Sequence, residues 1–230
     1  MTEEFIKKNF FNISLIGESN VGKTNLISVH LKKEFKSNNL TTIGLEKHFE
    51  KIKFDKVEYT FRIFDTAGQE KYESQSAQSI HLSDGFLLIF AVDNKASFEK
   101  LNKWVNFIDD VEDISKKKAI VVGNKIDVEE RVVSNEEALE FAKSNNMKYI
   151  ESSAKSGYNV DKIFNEIYNE VYSNYKKEYD KYIGIKNKSK KNNEDIPSKA
   201  SRRKVITLSR DVLDIEGNED DKKKNGKCCK

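Results

Sequence analysis

The sequence holds two cysteines and one proline, and its densest apolar run, Phe86–Val92, is only seven residues long. Two thiols cannot build a disulfide framework. One proline among ten glycines excludes collagen-like and proline-rich chains. A seven-residue run falls well short of the roughly 20 residues of a membrane-spanning helix. The opening stretch MTEEFIKKNFFNI carries two early acids and no long apolar core, so it does not read as a secretory signal. Thr2 stands where N-myristoylation requires glycine. Charge of one sign is scarce too: 41 Lys and Arg against 38 Asp and Glu leave +3 over 230 residues, which gives no electrostatic footprint for nucleic acid. A soluble intracellular chain is the expectation.

Charge divides the chain near residue 175. Residues 1–175 carry 24 basic and 28 acidic side chains, net −4, and residues 176–230 carry 17 and 10, net +7. From Ile185 onward Lys, Asn, Ser, Asp and Glu dominate and aromatics vanish. Such a segment buries too little apolar area to offset its ordering entropy, and disorder is expected there. We divide the chain into an N-terminal extension (1–9), a folded domain (10–183) and a basic tail (184–230).

Within the folded part the hydrophobic period alternates. Strand-like runs are Asn12–Ile16, His48–Phe54, Glu58–Phe64, Phe86–Val92, Ala119–Val122 and Met147–Ile150; helical patterns cover Lys23–Phe35, Ser97–Val111, Asn135–Ser144 and Val160–Tyr182. Strands separated by helices predict an α/β fold with a mostly parallel sheet covered on both faces. The pair 48–54 and 58–64, joined by Asp55-Lys56-Val57, is the expected antiparallel exception. Tyr168, Tyr172, Tyr175, Tyr179 and Tyr182 form one stripe of the last helix, with Gly184 as its expected C-cap. The three histidines, His30, His48 and His81, have no metal-ligand neighbours in sequence and are expected to be structural or surface groups.

Four motifs carry chemistry. Gly17-Glu18-Ser19-Asn20-Val21-Gly22-Lys23-Thr24 fits the phosphate-loop pattern GxxxxGK[ST] and lies between a strand and a helix, the context that pattern needs. Its glycines let backbone N–H groups wrap a polyphosphate, and the helix N-terminus adds positive dipole. Lys23 is suited to reach the β- and γ-phosphates and Thr24 to ligate Mg2+. Asp65-Thr66-Ala67-Gly68-Gln69-Glu70 follows a strand: Asp65 suits Mg2+, Gly68 a γ-phosphate contact, and Gln69 the orientation of an attacking water. In Asn124-Lys125-Ile126-Asp127 the Asp127 carboxylate can accept both edge donors of guanine, a pair that adenine lacks. In Ser152-Ser153-Ala154-Lys155, small side chains let the Ala154 N–H meet the guanine carbonyl.

Taken together, GESNVGKT, DTAGQE, NKID and SSAK resemble the Ras superfamily of small GTPases, in its order and spacing, over residues 10–182. The resemblance implies a phosphate-loop G domain: a six-stranded, mostly parallel sheet flanked by helices on both faces. It implies GTP and GDP as ligands, Mg2+ as cofactor and slow intrinsic GTP hydrolysis. The implied nucleotide-binding set is Gly17, Ser19, Asn20, Val21, Gly22, Lys23, Thr24, Asn25, Phe35, Thr42, Gly68, Asn124, Lys125, Asp127, Ser153, Ala154 and Lys155. Gln69 and Lys23 would serve hydrolysis, and Thr24, Thr42 and Asp65 the metal. Phe35 corresponds to an aromatic beside the base, with packing of the first helix as the alternative. Segments 36–46 and 68–82 correspond to the two switches.

Ser19 in the phosphate loop, Thr42-Ile43-Gly44, RVVSNEEALEFA and the terminal cysteine pair are most similar to Rab proteins, whereas GFLLIFAVDNKASFEKL is more similar to Ras. Lys47 and His48 before Phe49, Phe64 where Rabs usually have Trp, and Lys71-Tyr72-Glu73-Ser74 depart from the Rab pattern. A Rab-like reading implies exchange factors, activating proteins, effectors, a prenylation escort and a GDP-dissociation inhibitor as partners. It also implies vesicle trafficking on the cytosolic face of a membrane. A Ras-like signalling GTPase and a non-cycling nucleotide-binding module are the alternatives. Cys228 and Cys229 are third and second from the end, so a CaaX box, which needs its cysteine at position 227, does not fit. An adjacent pair resembles a double geranylgeranylation signal, and two long chains anchor stably where one anchors marginally. Lys222, Lys223, Lys224 and Lys227 favour an anionic leaflet. Val205, Leu208, Val212 and Ile215 form a small apolar stripe suited to a prenylation escort.

Overall fold

Each continuous apolar run becomes a strand buried on both faces. The computed structural model describes residues 8–33, 35, 45–66 and 73–193, with 73–76 and 185–193 described by backbone only. Its strands are β1 (Phe10–Ile16), β2 (Leu45–Phe54), β3 (Val57–Thr66), β4 (Gly85–Ala91), β5 (Lys118–Asn124) and β6 (Lys148–Glu151). Its helices are α1 (Lys23–His30), α2 (Glu73–Leu82), α3 (Lys95–Glu99), α4 (Leu101–Val111), α5 (Asn135–Ser144) and α6 (Val160–Asn193), and a short 3-10 turn, Ile114–Lys116, precedes β5. The strand order is β2-β3-β1-β4-β5-β6. Only β2 runs antiparallel to its neighbour; the other pairs are parallel.

Strand β4 shows how the two layers are built. Leu87, Ile89 and Ala91 pack with residues of α1 and α6, while Phe86, Leu88 and Phe90 pack with α3, α4 and α5. Alternation along one strand thereby feeds two cores, which is why its sequence is apolar throughout. The tyrosine stripe packs as a helix against a sheet should: Tyr168 lies 4.3 Å from Phe61, Tyr172 stacks on Phe54 at 4.2 Å, and Tyr175 meets Phe11 edge-on at 5.3 Å.

Several boundaries differ from the sequence-based expectation, each for a local reason. The β2–β3 turn is two residues, since Phe54 pairs with Val57, and Asp55 and Lys56 both take positive φ, 48° and 69°. That is the twist-matched hairpin geometry. Helix α1 stops at His30 instead of reaching Phe35, and Lys32 turns left-handed just beyond it (φ 57°). Helix α2 was not expected; its sequence, ESQSAQSIHL, is polar and gives almost no periodic signal. The expected helix from Ser97 starts earlier, because the Asn94 side chain caps the Ser97 N–H at 3.0 Å, and it breaks at Lys100 into α3 and α4. Ser134 caps α5 at the Glu137 N–H, as the sequence S-x-x-E favours. Helix α6 passes through Gly184, which has no left-handed φ, so no cap forms there. Two compact units divide at Lys188, and of the second only the end of α6 is among the described residues.

Candidate functional site

In a parallel sheet the carboxyl ends of the strands lie along one edge, and the loops that leave them gather there. The four sequence motifs follow β1, β3, β5 and β6 at that edge. Gly17–Gly22 links β1 to the N-terminus of α1, and Asp65 and Thr66 close β3. Asn124 ends β5, and Ser152–Lys155 follows β6.

The phosphate loop is shaped by close approach. At Gly17 (φ 151°) a Cβ atom would stand 2.1 Å from the carbonyl oxygen of Ile89, and at Gly22 (φ 97°) 2.4 Å from the Asn124 amide. Neither position has room for a side chain. Asn20 also takes a positive φ, 63°. Lys23, the first residue of α1, is buried; its ammonium donates to the carbonyls of Gly17 (2.8 Å) and Glu18 (2.9 Å). Burial pushes its pKa down to about 8, against the pull of the nearby Asp65 and Glu18 charges.

Opposite the loop, the Thr24 hydroxyl donates to Asp65 Oδ2 at 2.6 Å. Asp65 is fully buried, and burial raises its pKa, opposed by the Thr24 hydrogen bond and the Lys23 charge. Its other oxygen, Oδ1, and the Ser19 hydroxyl are buried with no hydrogen-bond partner among the described residues. Unpartnered buried acceptors cost stability unless a ligand takes them up. A hydroxyl and a carboxylate with a spare oxygen suit Mg2+, which takes few protein ligands and completes its shell with water and phosphate. No group of three or more His, Cys, Asp or Glu side chains gathers among the described residues.

The base-side loops are held by their own hydrogen bonds. The Asn124 amide donates to Val21 O at 2.8 Å, joining the base loop to the phosphate loop. Its carbonyl accepts the Ala154 N–H at 3.2 Å and the Ser152 hydroxyl at 3.4 Å. Asp127 accepts the Ser153 hydroxyl at 2.5 Å and has the Lys155 ammonium 3.7 Å away. Lys125 takes a positive φ, 67°, and reaches Asp93 at 3.4 Å.

The structure therefore brings Gly17, Ser19, Asn20, Val21, Gly22, Lys23, Thr24, Asp65, Asn124, Lys125, Asp127, Ser153, Ala154 and Lys155 to one edge of the sheet. Asn25 lies in the first turn of α1. Phe35 lies beyond α1 and is 37% exposed, so it does not pack as part of that helix. Thr42, Gly68, Gln69, Cys228 and Cys229 lie outside the described residues. Sequence reasoning missed Glu18, whose carboxylate is held by Lys100 (2.8 Å) and Trp104 (3.3 Å). His30, expected as a structural or surface group, is the structural kind: it is buried and bonded to Glu50 on β2 (2.7 Å) and Asp161 on α6 (2.8 Å). Partners 82, 86 and 131 residues away in sequence leave no local signal.

A phosphate loop at the switch point of a doubly covered, mostly parallel sheet, facing a buried carboxylate and a base-side Asn-Lys-x-Asp loop, defines a phosphate-loop G domain. The comparisons agree. The Ras family model matches residues 12–173. The chain is 33% identical over 171 residues to Ras-related protein Rab-15 of Rattus norvegicus, covering 74% of this chain and 80% of that one. It is 37% identical over 164 residues to Ras-related protein Rab-9A of Rattus norvegicus, covering 70% and 82%. It is 35% identical over 164 residues to Ypt/Rab-type GTPase Rab7 of Gibberella zeae, covering 69% and 80%. The chain belongs to the Ras family, whose members are GTPases, and its curated relatives make it a Rab/Ras-type small GTPase.

Proposed function

We propose that this chain is a Rab-like GTP/GDP switch with slow intrinsic hydrolysis. The observation that carries the reading is the convergence of Lys23, Thr24 and Asp65 with the Asn124–Asp127 loop, through the Asn124 link to Val21. One half suits a triphosphate and the other a guanine.

In this reading water attacks the γ-phosphorus, the bond to the β–γ bridging oxygen breaks, and GDP and phosphate form. Lys23 and the loop N–H groups of Gly17–Thr24 stabilise charge on the phosphoryl oxygens. Gln69 orients the water by donating and accepting from one amide. Thr24, Thr42 and Asp65 would hold Mg2+, which when bound supplies neutralisation of the β- and γ-phosphate oxygens. Asp127 accepts the guanine edge donors, and the Ala154 N–H serves its carbonyl. The loop Gly17–Thr24 contains no arginine, so rapid turnover calls for an activating protein to supply one. Exchange factors, effectors, a prenylation escort and a GDP-dissociation inhibitor complete the cycle.

No helix among the described residues is long and apolar enough to cross a membrane. Membrane recruitment in this reading rests on prenylation of Cys228 and Cys229 in the 184–230 tail, following a 10–183 G domain. The mass of the native C-terminus checks this: two C20 adducts are expected, and unmodified thiols would remove the anchor.

The central test is binding of fluorescent GDP and GTP to the purified chain with Mg2+. Retention at micromolar concentration that ATP does not compete away is expected; preference for ATP, or no retention, rejects the reading. Gln69→Leu is expected to keep GTP binding and lose most single-turnover phosphate release.

A further inference from the structure

Glu18 poses an electrostatic problem. It lies inside the phosphate loop, between Gly17 and Ser19, where a free carboxylate would repel the polyphosphate that the loop suits. Its charge is drawn off to one side. Lys100 Nζ, at the junction of α3 and α4, donates at 2.8 Å, and Trp104 Nε1, one turn into α4, donates at 3.3 Å. The Glu18 side chain is 18% exposed and Trp104 4% exposed, so the Trp104 contact is screened from water, whereas Lys100, 43% exposed, grips the carboxylate from the surface. Trp104 is fixed by the core around Leu101 and Ile108 and by the edge of Phe107 at 6.1 Å.

A side chain gripped at its carboxylate restrains its own peptide unit. The Glu18 carbonyl is one of the two oxygens that hold the Lys23 ammonium. A continuous series of contacts therefore runs from the core of α4 through the Glu18 carboxylate and backbone to Lys23. We propose that Glu18 is a positioning residue: Trp104 and Lys100 latch it to α4, so that α4 sets the placement of Lys23 and the rate at which nucleotide phosphates leave the loop. This rests on the guanine-nucleotide reading above and adds a determinant that lies outside the four motifs.

The test uses the full chain loaded with fluorescent GDP in Mg2+. Glu18→Ala and Trp104→Phe each accelerate GDP release about tenfold, the size expected for losing a charge-assisted hydrogen bond. The double variant is no faster than the quicker single variant, because both break the same latch. Glu18→Gln keeps an acceptor for Trp104 but offers Lys100 no charge, and releases at an intermediate rate. Ile108→Val, a packing change in the same helix, lowers the melting temperature and leaves release unchanged. Unaltered release in Glu18→Ala, additive effects in the double variant, or release that merely follows melting temperature across all five variants overturns the proposal. Failure of the unsubstituted chain to retain GDP would instead reject the functional reading and this latch with it.

Discussion

The two halves of the candidate site are stabilised by opposite means. On the base side, Asn124 accepts from Ser152 and Ala154, and Asp127 accepts from Ser153. On the phosphate side, burial acts against the charges of Lys23 and Asp65, and Ser19 Oγ and Asp65 Oδ1 are buried without hydrogen-bond partners among the described residues. The base side is tied together by its own hydrogen bonds, with Asn124, Ser152, Ser153 and Ala154 buried beneath an exposed Asp127. The phosphate side holds an electrostatic deficit that an anionic ligand with a divalent cation would remove. A fold can thus preorganise recognition in one place and keep strain at the reacting end in another.

The largest expected effect sharpens this contrast. Asp127→Ala removes the acceptor for the guanine edge and should weaken GDP binding by about 3 kcal/mol, roughly a hundredfold. Titration with fluorescent GDP checks it, and an unchanged affinity would show that the base half does not select its ligand. Asp65→Asn should act with opposite signs on two readouts. Relieved of a buried charge, the nucleotide-free chain should melt about 2–4 °C higher, while the tightening of GDP binding by Mg2+ should shrink. A lower melting temperature would mean that the phosphate half carries no such deficit.

A smaller effect is expected behind α1, where His30 stacks on Phe164 at 4.0 Å and faces Glu50 and Asp161. A ring with a carboxylate at each nitrogen satisfies both only as imidazolium. Burial opposes that charge, but the two carboxylates outweigh it and hold the His30 pKa above 6.5. Glu50 also works against burial, and its bonds to His30 and Tyr168 hold its pKa below 4.5. The His30 contribution is therefore full below pH 6.5 and is lost as pH rises through its raised pKa. The Glu50 contribution is present above pH 4.5 and is lost as pH falls through its lowered one. Melting curves against pH should fall more steeply on the alkaline side for the natural chain than for His30→Phe; identical slopes would remove the charge from His30.

Most of the sheet was legible because buried parallel strands need unbroken apolar runs, and FLLIFAV supplies one. The site loops were legible because phosphate and guanine chemistry fixes residue types at short spacings. Helix α2 was not, since polar residues dominate it and only Ile80 among its described side chains is a buried hydrophobic. The extension of α6 beyond Gly184 was hidden by a composition that reads as unstructured. His30 was assigned only a structural or surface role because its carboxylate partners come from β2 and α6, which only the fold brings together.

Gly17 carries a last consequence. Because a side-chain carbon added there would come within 2.1 Å of the Ile89 carbonyl oxygen on β4, the first residue of the cradle is fastened to the interior and not to the surface. A saturation library should therefore leave position 17 with a single survivor, while the neighbouring exposed Asn20, already left-handed, should accept glycine freely. Tolerance to drift along this one loop would then map how near each residue lies to the sheet.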